Sequence, residues 1–347
     1  MKQFLSFLIF LVCVSGFSAS AQEDSTRRDK EYANPSVEGM PRGRFFLLRY
    51  NRTFNYDFNA RQDQLKVGDR DATIKHSNIA EIKGYVPLWN RPHLKIVLGV
   101  GYEREEFNFK ENTGYTTDYA YFRNLQDKGL KSLSAQLAVV RPVNYRNYWI
   151  LRVKGQLNGD YTSSELNFSD YLRTTAEAIY GWKINKDFSW GVGAQLGYQF
   201  GRKTIYPAVL YNRTFNDRWG LEAVFPAAAV MRYNKSDKTL FYAGYNLDGF
   251  SYIIKVDKPP FSSDPAFANL KTIELRHNDL RLKLRWEQEI YDFIWFSLEG
   301  GLRYNIAYDA FEQGSKRDVT LIESEVGTAP FAQAEIYFVV PRVFLKR

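Results

Sequence analysis

SLSAQLAVVRPVNYRNYWILRVKGQLN, residues 132–158, decides the fold. Leu133, Ala135, Leu137 and Val139 fall on one side of an extended chain and Ser132, Ser134 and Gln136 on the other, because successive side chains of a strand alternate. After the turn-forming run from Arg141 to Asn147 the alternation resumes, with Trp149, Leu151, Val153 and Leu157 against Arg152, Lys154, Gln156 and Asn158. This is a β-hairpin with one apolar and one charged face.

The same pattern spreads in both directions. Leu94, Ile96, Leu98, Val100 and Tyr102 oppose Lys95, Gly99, Gly101 and Glu103, and Leu280, Leu282, Leu284 and Trp286 oppose Arg281, Lys283, Arg285 and Glu287. A secreted β-sandwich alternates in the same way. Many of these strands run to roughly 10 or more residues, the length a tilted strand needs to cross a bilayer. Aromatics such as Trp89, Tyr148, Trp149, Trp190, Trp219 and Trp295 stand beside short turns, where rings suit the boundary between lipid tails and headgroups. The expectation is therefore an all-β protein, a transmembrane antiparallel up-and-down β-barrel whose apolar faces meet lipid.

Composition agrees once alternation is allowed for. The chain is 45% hydrophobic and 16% aromatic, yet its mean hydropathy is −0.42. A barrel spreads its lipid-facing residues one in two and hides them from a window average. Residues 1–21 read as a secretory signal, with Lys2, the apolar run from Phe4 to Val14 and Ala19-Ser20-Ala21 as cleavage site. The single cysteine, Cys13, lies within it, which excludes disulfides and thiol chemistry from the exported protein. Residues 22–42 are polar and read as a flexible periplasmic lead-in, leaving 43–347 for the barrel. Basic residues are dispersed along strands, and no nucleic acid partner is expected.

Loop lengths give direction. Short turns near residues 88–92, 144–147, 185–187, 216–218 and 291–292 interleave with longer loops near 57–72, 110–128, 162–170, 257–270 and 309–324. Barrels of the outer membrane keep short turns on the periplasmic side. Both termini on that side require an even strand number, and the interval 219–256 settles it: three strands there make fourteen, one makes twelve. Fourteen is the expected count. Tyr50 to Asn55 recurs as Tyr211 to Asn216, but on strands of opposite direction, so no duplication is inferred.

Arg152, Lys154, Arg281, Lys283, Arg285, Glu287, Glu299 and Arg303 are the candidate lumen-lining residues. The basic run Arg281, Lys283, Arg285 would favour anionic solutes if the lumen is open, and would join a web of ion pairs if it is filled. Tyr115, Tyr119, Tyr121 and Phe122 are the candidate external contacts, in the tyrosine-rich loop before residue 128. An enzyme is not expected. A barrel lipase would want histidine and serine two apart on one face, whereas His76 and Ser77 are adjacent. His277 and Asp279 share a face but lack a serine, and neither metal nor cofactor is expected.

The last patterned run, Ala332, Ala334, Ile336, Phe338 and Val340 against Gln333, Glu335 and Tyr337, resembles the closing strand read by barrel-assembly machinery, although the chain continues to Arg347. With the signal, the polar lead-in and the aromatic-rich strands, the plan is similar to uncharacterised outer-membrane β-barrel families of Gram-negative bacteria. That resemblance implies partners among outer-membrane lipids, lipopolysaccharide and the assembly machinery, and no catalytic residues. The functional expectation is a pore or transporter for small polar solutes, with a filled structural or adhesive barrel as the alternative.

Overall fold

A computed structural model describes residues 32–62, 70–110, 119–164, 166–198, 203–313 and 319–344. Its strands are β1 (Arg44–Arg61), β2 (Arg70–Arg91), β3 (Leu94–Phe109), β4 (Leu130–Pro142), β5 (Asn147–Gly159), β6 (Leu172–Asn185), β7 (Phe188–Gly197), β8 (Thr204–Thr214), β9 (Trp219–Phe225), β10 (Ala228–Ser236), β11 (Thr239–Lys255), β12 (Thr272–Tyr291), β13 (Ile294–Glu312), β14 (Thr320–Val326) and β15 (Ala329–Val339). Two helices, α1 (Ala120–Lys128) and α2 (Phe168–Tyr171), lie in connections. The signal residues 1–21 lie outside the described residues.

Each strand from β1 to β13 pairs antiparallel with the next, and β14 and β15 both pair with β13 and with β1. The sheet therefore closes on itself. Because β14 and β15 run in line between the same two neighbours, they form one stave interrupted at Gly327, and the described residues make fourteen staves. The interval 219–256 supplies three strands, β9 to β11, as the parity argument requires.

Alternation places the side chains. Leu151, Leu196 and Leu284 are 42%, 40% and 67% exposed, so no second sheet covers the apolar face. The protein is a transmembrane β-barrel, with Leu48, Ile82, Val100, Leu137, Val153 and Leu282 in its outer band. Sliding β12 by one residue would aim Arg281, Lys283 and Arg285 at hydrocarbon, at roughly 2–4 kcal/mol each near midplane, so the register is firmly held. Trp89, Trp149 and Trp219 are exposed near the tight turns. Tyr148 and Trp295 correct the expected girdle: both point inward and are buried, Tyr148 with its hydroxyl 2.7 Å from Ser189 Oγ.

The wall is uneven. β7 to β10 have 10, 11, 7 and 9 residues, whereas β11 to β13 have 17, 20 and 19. β10 follows β11 only as far as the pair Ala228 and Asn246. Beyond it, β11 keeps β12 on one side and meets β5 on the other, with Ile253 beside Gly159 in parallel. Gly159 is required there, because a Cβ would collide with the Ile253 carbonyl and the Tyr171 ring.

The expected flexible lead-in is, over residues 32–42, a strap tied across the end that carries the tight turns. Ala33 N–H donates to the Asn144 carbonyl (3.2 Å), Glu38 N–H to that of Lys186 (2.9 Å), and Asn212 Nδ2 to that of Pro35 (2.8 Å). Ala33 is buried with Tyr148, Ile179, Ala208 and Leu210. Residues 22–31 lie outside the described residues. At the strap's end Arg42 reaches Glu289 (3.3 Å) and Asp292 (3.2 Å), acids that also hold Arg342 of the C-terminal tail (2.6 and 2.8 Å). Most of these ties use backbone carbonyls, which composition does not reveal.

Asp292 gives this latch a pH dependence. Desolvation pushes its carboxyl up, but the Arg342 N–H and the Arg42 and Arg342 guanidiniums outweigh it and hold the group below the usual carboxylate range. A depressed carboxylate stabilises the fold above its unfolded value, about 3.9, and loses that contribution as pH falls through the folded value. Pepsin cleavage within residues 37–44 and 340–344 is therefore expected to rise between pH 4.5 and pH 2.5. In Asp292→Asn the cleavage should already be high at pH 4.5; equal protection of that variant would place the latch elsewhere.

Candidate functional site

The eight candidate lumen residues all belong to the inner face, but they do not line one open route. Arg281 lies 3.4 Å from Asp248, Lys283 lies 3.5 Å from Glu299, and Arg285 lies 3.4 Å from Glu287 and 3.7 Å from Glu299. The basic run thus has a carboxylate for each cation. Glu287 is fully buried, accepts Tyr337 OH at 2.9 Å and pairs with Arg44. Arg303 is buried over the Tyr56 ring and donates to the Gly327 carbonyl at 3.1 Å. The network extends through Glu335 to Arg49 (2.7 Å) and on to Glu81 (2.7 Å). Over this sector the lumen is filled by ion pairs.

Apolar residues close both ends of that sector. Near the tight turns Leu47, Leu240, Tyr242, Trp295, Tyr337 and Val339 pack together. At the loop end α1 turns into the barrel, which corrects the reading of its residues as external contacts. Tyr119, Tyr121 and Phe122 are fully buried, and Tyr115 lies outside the described residues. Phe122 packs against Phe58 (5.3 Å), Phe109 (5.2 Å) and Tyr119 (4.9 Å) between ring centroids. Gly129 ends the helix at φ 64°, its N–H donating to Leu125 O at 3.0 Å, in a conformation that side chains resist. Asp160, just past β5, receives Asn124 Nδ2 at 2.9 Å and lies 3.8 Å from Lys128. Burial raises its carboxyl above the ordinary value despite those partners.

Beside the filled sector the barrel keeps a polar cavity of about 320 Å³. The inner faces of β4 to β7 form one wall, and residues 247–251 of β11, crossing toward β5, form the other. Lys83, Arg152, Lys154, Arg173, Glu177 and Gln195 contribute its functional groups. Three of the cations are engaged: Lys83 with Glu81, Arg152 with Glu177 at 2.9 Å, and Arg173 with Glu274 at 3.5 Å. Lys154 has no carboxylate within ion-pair distance among the described residues. Of the sequence candidates, then, Arg152 and Lys154 face the cavity. Lys83, Arg173 and Glu177 complete it; alternation placed them inside, but nothing in the sequence told them from the other inward charges.

A second cavity of about 140 Å³ lies across Asp248 and Phe250, with Glu103, Glu105, His277, Asp279, Arg281 and Arg303 around it. His277 is stacked among Phe250 (5.2 Å), Tyr252 (5.8 Å) and Tyr308 (5.2 Å), its Nδ1 3.8 Å from Asp279. Ser77 is buried within the barrel, while His76, opposite the outward Phe54, is on the other face, so the two form no dyad.

Residues 116–325 match the model of a family described as a domain of unknown function (DUF6268), well over half of the chain. No sequence relative was found among curated proteins. Among solved structures the chain is similar to an outer membrane channel from Pseudomonas putida F1, at 10% identity and a TM-score of 0.42, covering 89% of this chain and 100% of that one. It is also similar to a Pseudomonas aeruginosa FadL homologue, at 10% identity and a TM-score of 0.41, covering 85% and 90%. A third is the outer membrane phospholipase A of Escherichia coli, at 8% identity and a TM-score of 0.32, covering 89% and 95%. These likenesses concern the barrel fold alone.

Proposed function

The chain belongs to the DUF6268 family of unknown function, and from that premise we propose that it is an outer-membrane barrel that takes up small, negatively charged polar solutes. The tight turns, with the strap of residues 32–42 tied across them, face the periplasm, as short turns do in such barrels. The loop end faces outward, and the low wall of β7 to β10 gives access to the polar cavity from that side. Lys154 carries the reading. A lumen lysine with no carboxylate inside ion-pair distance is neutralised less completely than its paired neighbours, so an arriving anion gains more from it. Gln136, Gln156 and Gln195 offer amides that suit hydroxyl or carboxylate oxygens.

A filled structural barrel is the second reading, supported by the ion-paired sector and the apolar plug at α1. Planar-bilayer recording on folded, heat-modifiable protein separates the two. Anion-selective steps are expected, and Lys154→Gln should lower the chloride-to-potassium permeability ratio severalfold. Unchanged selectivity would remove Lys154 from the route, and the absence of any steps would favour the structural barrel. Replacing Arg281, Lys283 and Arg285 should act chiefly on stability, since their charges are already neutralised.

A further inference from the structure

The floor of the polar cavity is apolar, and the strap lies against its far side. Arg152, Glu177 and Gln195 stand side by side on β5, β6 and β7 and belong to the cavity. One row nearer the tight turns the register sets Ile150, Ile179, Gly193 and Ala208, and the next inward row sets Tyr148, Gly181, Gly191 and Leu210. A Cβ on Gly181 would collide with the Tyr148 ring, so that ring lies against bare backbone of β6. Ala33 of the strap packs into this floor with Tyr148, Ile179, Ala208 and Leu210. An anion leaving toward the tight turns would meet hydrocarbon, where shedding its water is costly.

Residues 33–40 run beneath these rows from the β4–β5 turn to β10. Besides the ties at Asn144, Lys186 and Asn212, Lys183 Nζ donates to the Ser36 carbonyl, Thr214 Oγ1 to that of Glu38 (2.5 Å) and Asn234 Nδ2 to that of Gly39 (3.0 Å). Arg232, fully buried, is paired with Glu222 at 2.8 Å and also donates to the Gly39 carbonyl. Gly39 has φ 77°, and a Cβ there would strike the Arg232 guanidinium, so the docked strap needs glycine at that point. The barrel itself does not need the strap. β1 begins at Arg44, and every stave pairing is made by residues beyond it. Of residues 32–42 only Ala33 and Val37 are buried, and Arg42 stays fixed to Glu289 and Asp292. Lifting residues 33–40 therefore breaks hydrogen bonds and exposes two small side chains, while the staves stay paired.

We propose that residues 33–40 are a gate on the periplasmic side of the Lys154 cavity. Docked, they back the apolar floor and close it; lifted, they release Ala33 from Tyr148 and let the floor part, so that a bound anion leaves inward. This rests on the reading of the cavity as an uptake site open to the outside. The strap then sets how often the route is open, and the polar cavity sets what passes.

Single-channel recording on the full barrel reads the open probability, and a disulfide can pin the strap. Glu38 N–H donates to the Lys186 carbonyl, which brings Glu38→Cys and Lys186→Cys within disulfide reach, with Cys13→Ser in the same chain. Oxidised, this variant is expected to open at least tenfold less often than when reduced. Asn212→Ala with Asn234→Ala removes two donors to strap carbonyls and no backbone bond of the barrel, and should open about tenfold more often at unchanged amplitude. An oxidised pair that opens as often as the reduced one would overturn the gate, as would a chain lacking residues 32–40 that opens no more than the parent. If the parent is silent, current that appears only in the strapless chain supports the gate. Lys154→Gln in that background tests the anion reading separately: unaltered selectivity would remove the anion reading and leave the gate standing.

Discussion

Glu287→Ala is expected to cost about 3–5 kcal/mol of folding stability, because it removes one partner from a buried ion pair and leaves the others uncompensated. Its carboxylate holds Arg44 and Arg285 and accepts the Tyr337 hydroxyl, with no exposure to solvent. It sits midway in a relay that runs from Glu81 through Arg49, Glu335 and Arg44 to Glu287, then through Arg285 to Glu299 and Lys283. The relay ties β2, β1, β15, β12 and β13 across the closure of the barrel. Cutting it in the middle leaves Arg44 with Glu335 alone and Arg285 with Glu299 alone. Glu287→Gln, which keeps an acceptor for Tyr337 but drops the charge, should cost less than the alanine. Urea unfolding of protein refolded into lipid vesicles measures both. A loss under 1 kcal/mol for the alanine would mean that bulk water screens this sector, and the lumen would then have to be open along the relay.

The relay also shows how far the sequence carries. That Arg281, Lys283 and Arg285 face inward follows from the alternation of β12, because lipid on one side makes any other register expensive. Their partners do not follow from it. Except for Glu287, which lies two residues from Arg285 on the same face of β12, they come from neighbouring strands, Asp248 from β11 and Glu299 from β13, and those meetings depend on cross-strand register that alternation within one strand does not give. The plug at α1 left a readable trace. Tyr119 and Phe122 are three apart, Tyr121 and Leu125 four apart, with Lys128 and Gly129 following, which is a helical stripe with its stop signal. Read as exposed loop tyrosines, the same residues lost their periodicity. The contact of β11 with β5 left no local trace beyond Gly159, since it joins residues nearly a hundred positions apart. The cavity exists only because of that contact, so its outline was beyond any strand-by-strand reading.

Phe122→Ala with Leu125→Ala tests whether the plug guards a route or merely fills a barrel. Both side chains are fully buried in the loop-end cluster, and truncating a buried Phe alone costs about 3–5 kcal/mol, with Leu adding about 2–5 before any relaxation. A large stability loss is therefore expected on either reading. The electrical consequence separates them. If solutes enter by the Lys154 cavity and are checked by the apolar plug, loosening α1 should raise single-channel conductance severalfold and leave anion preference unchanged, because no charge in the cavity is altered. If the barrel is structural, the double variant should unfold more easily while staying electrically silent, since the ion-paired sector beneath α1 still blocks the lumen. Conductance that rises together with a loss of anion preference would mean that current bypasses Lys154, and the cavity would lose its claim to be the binding site.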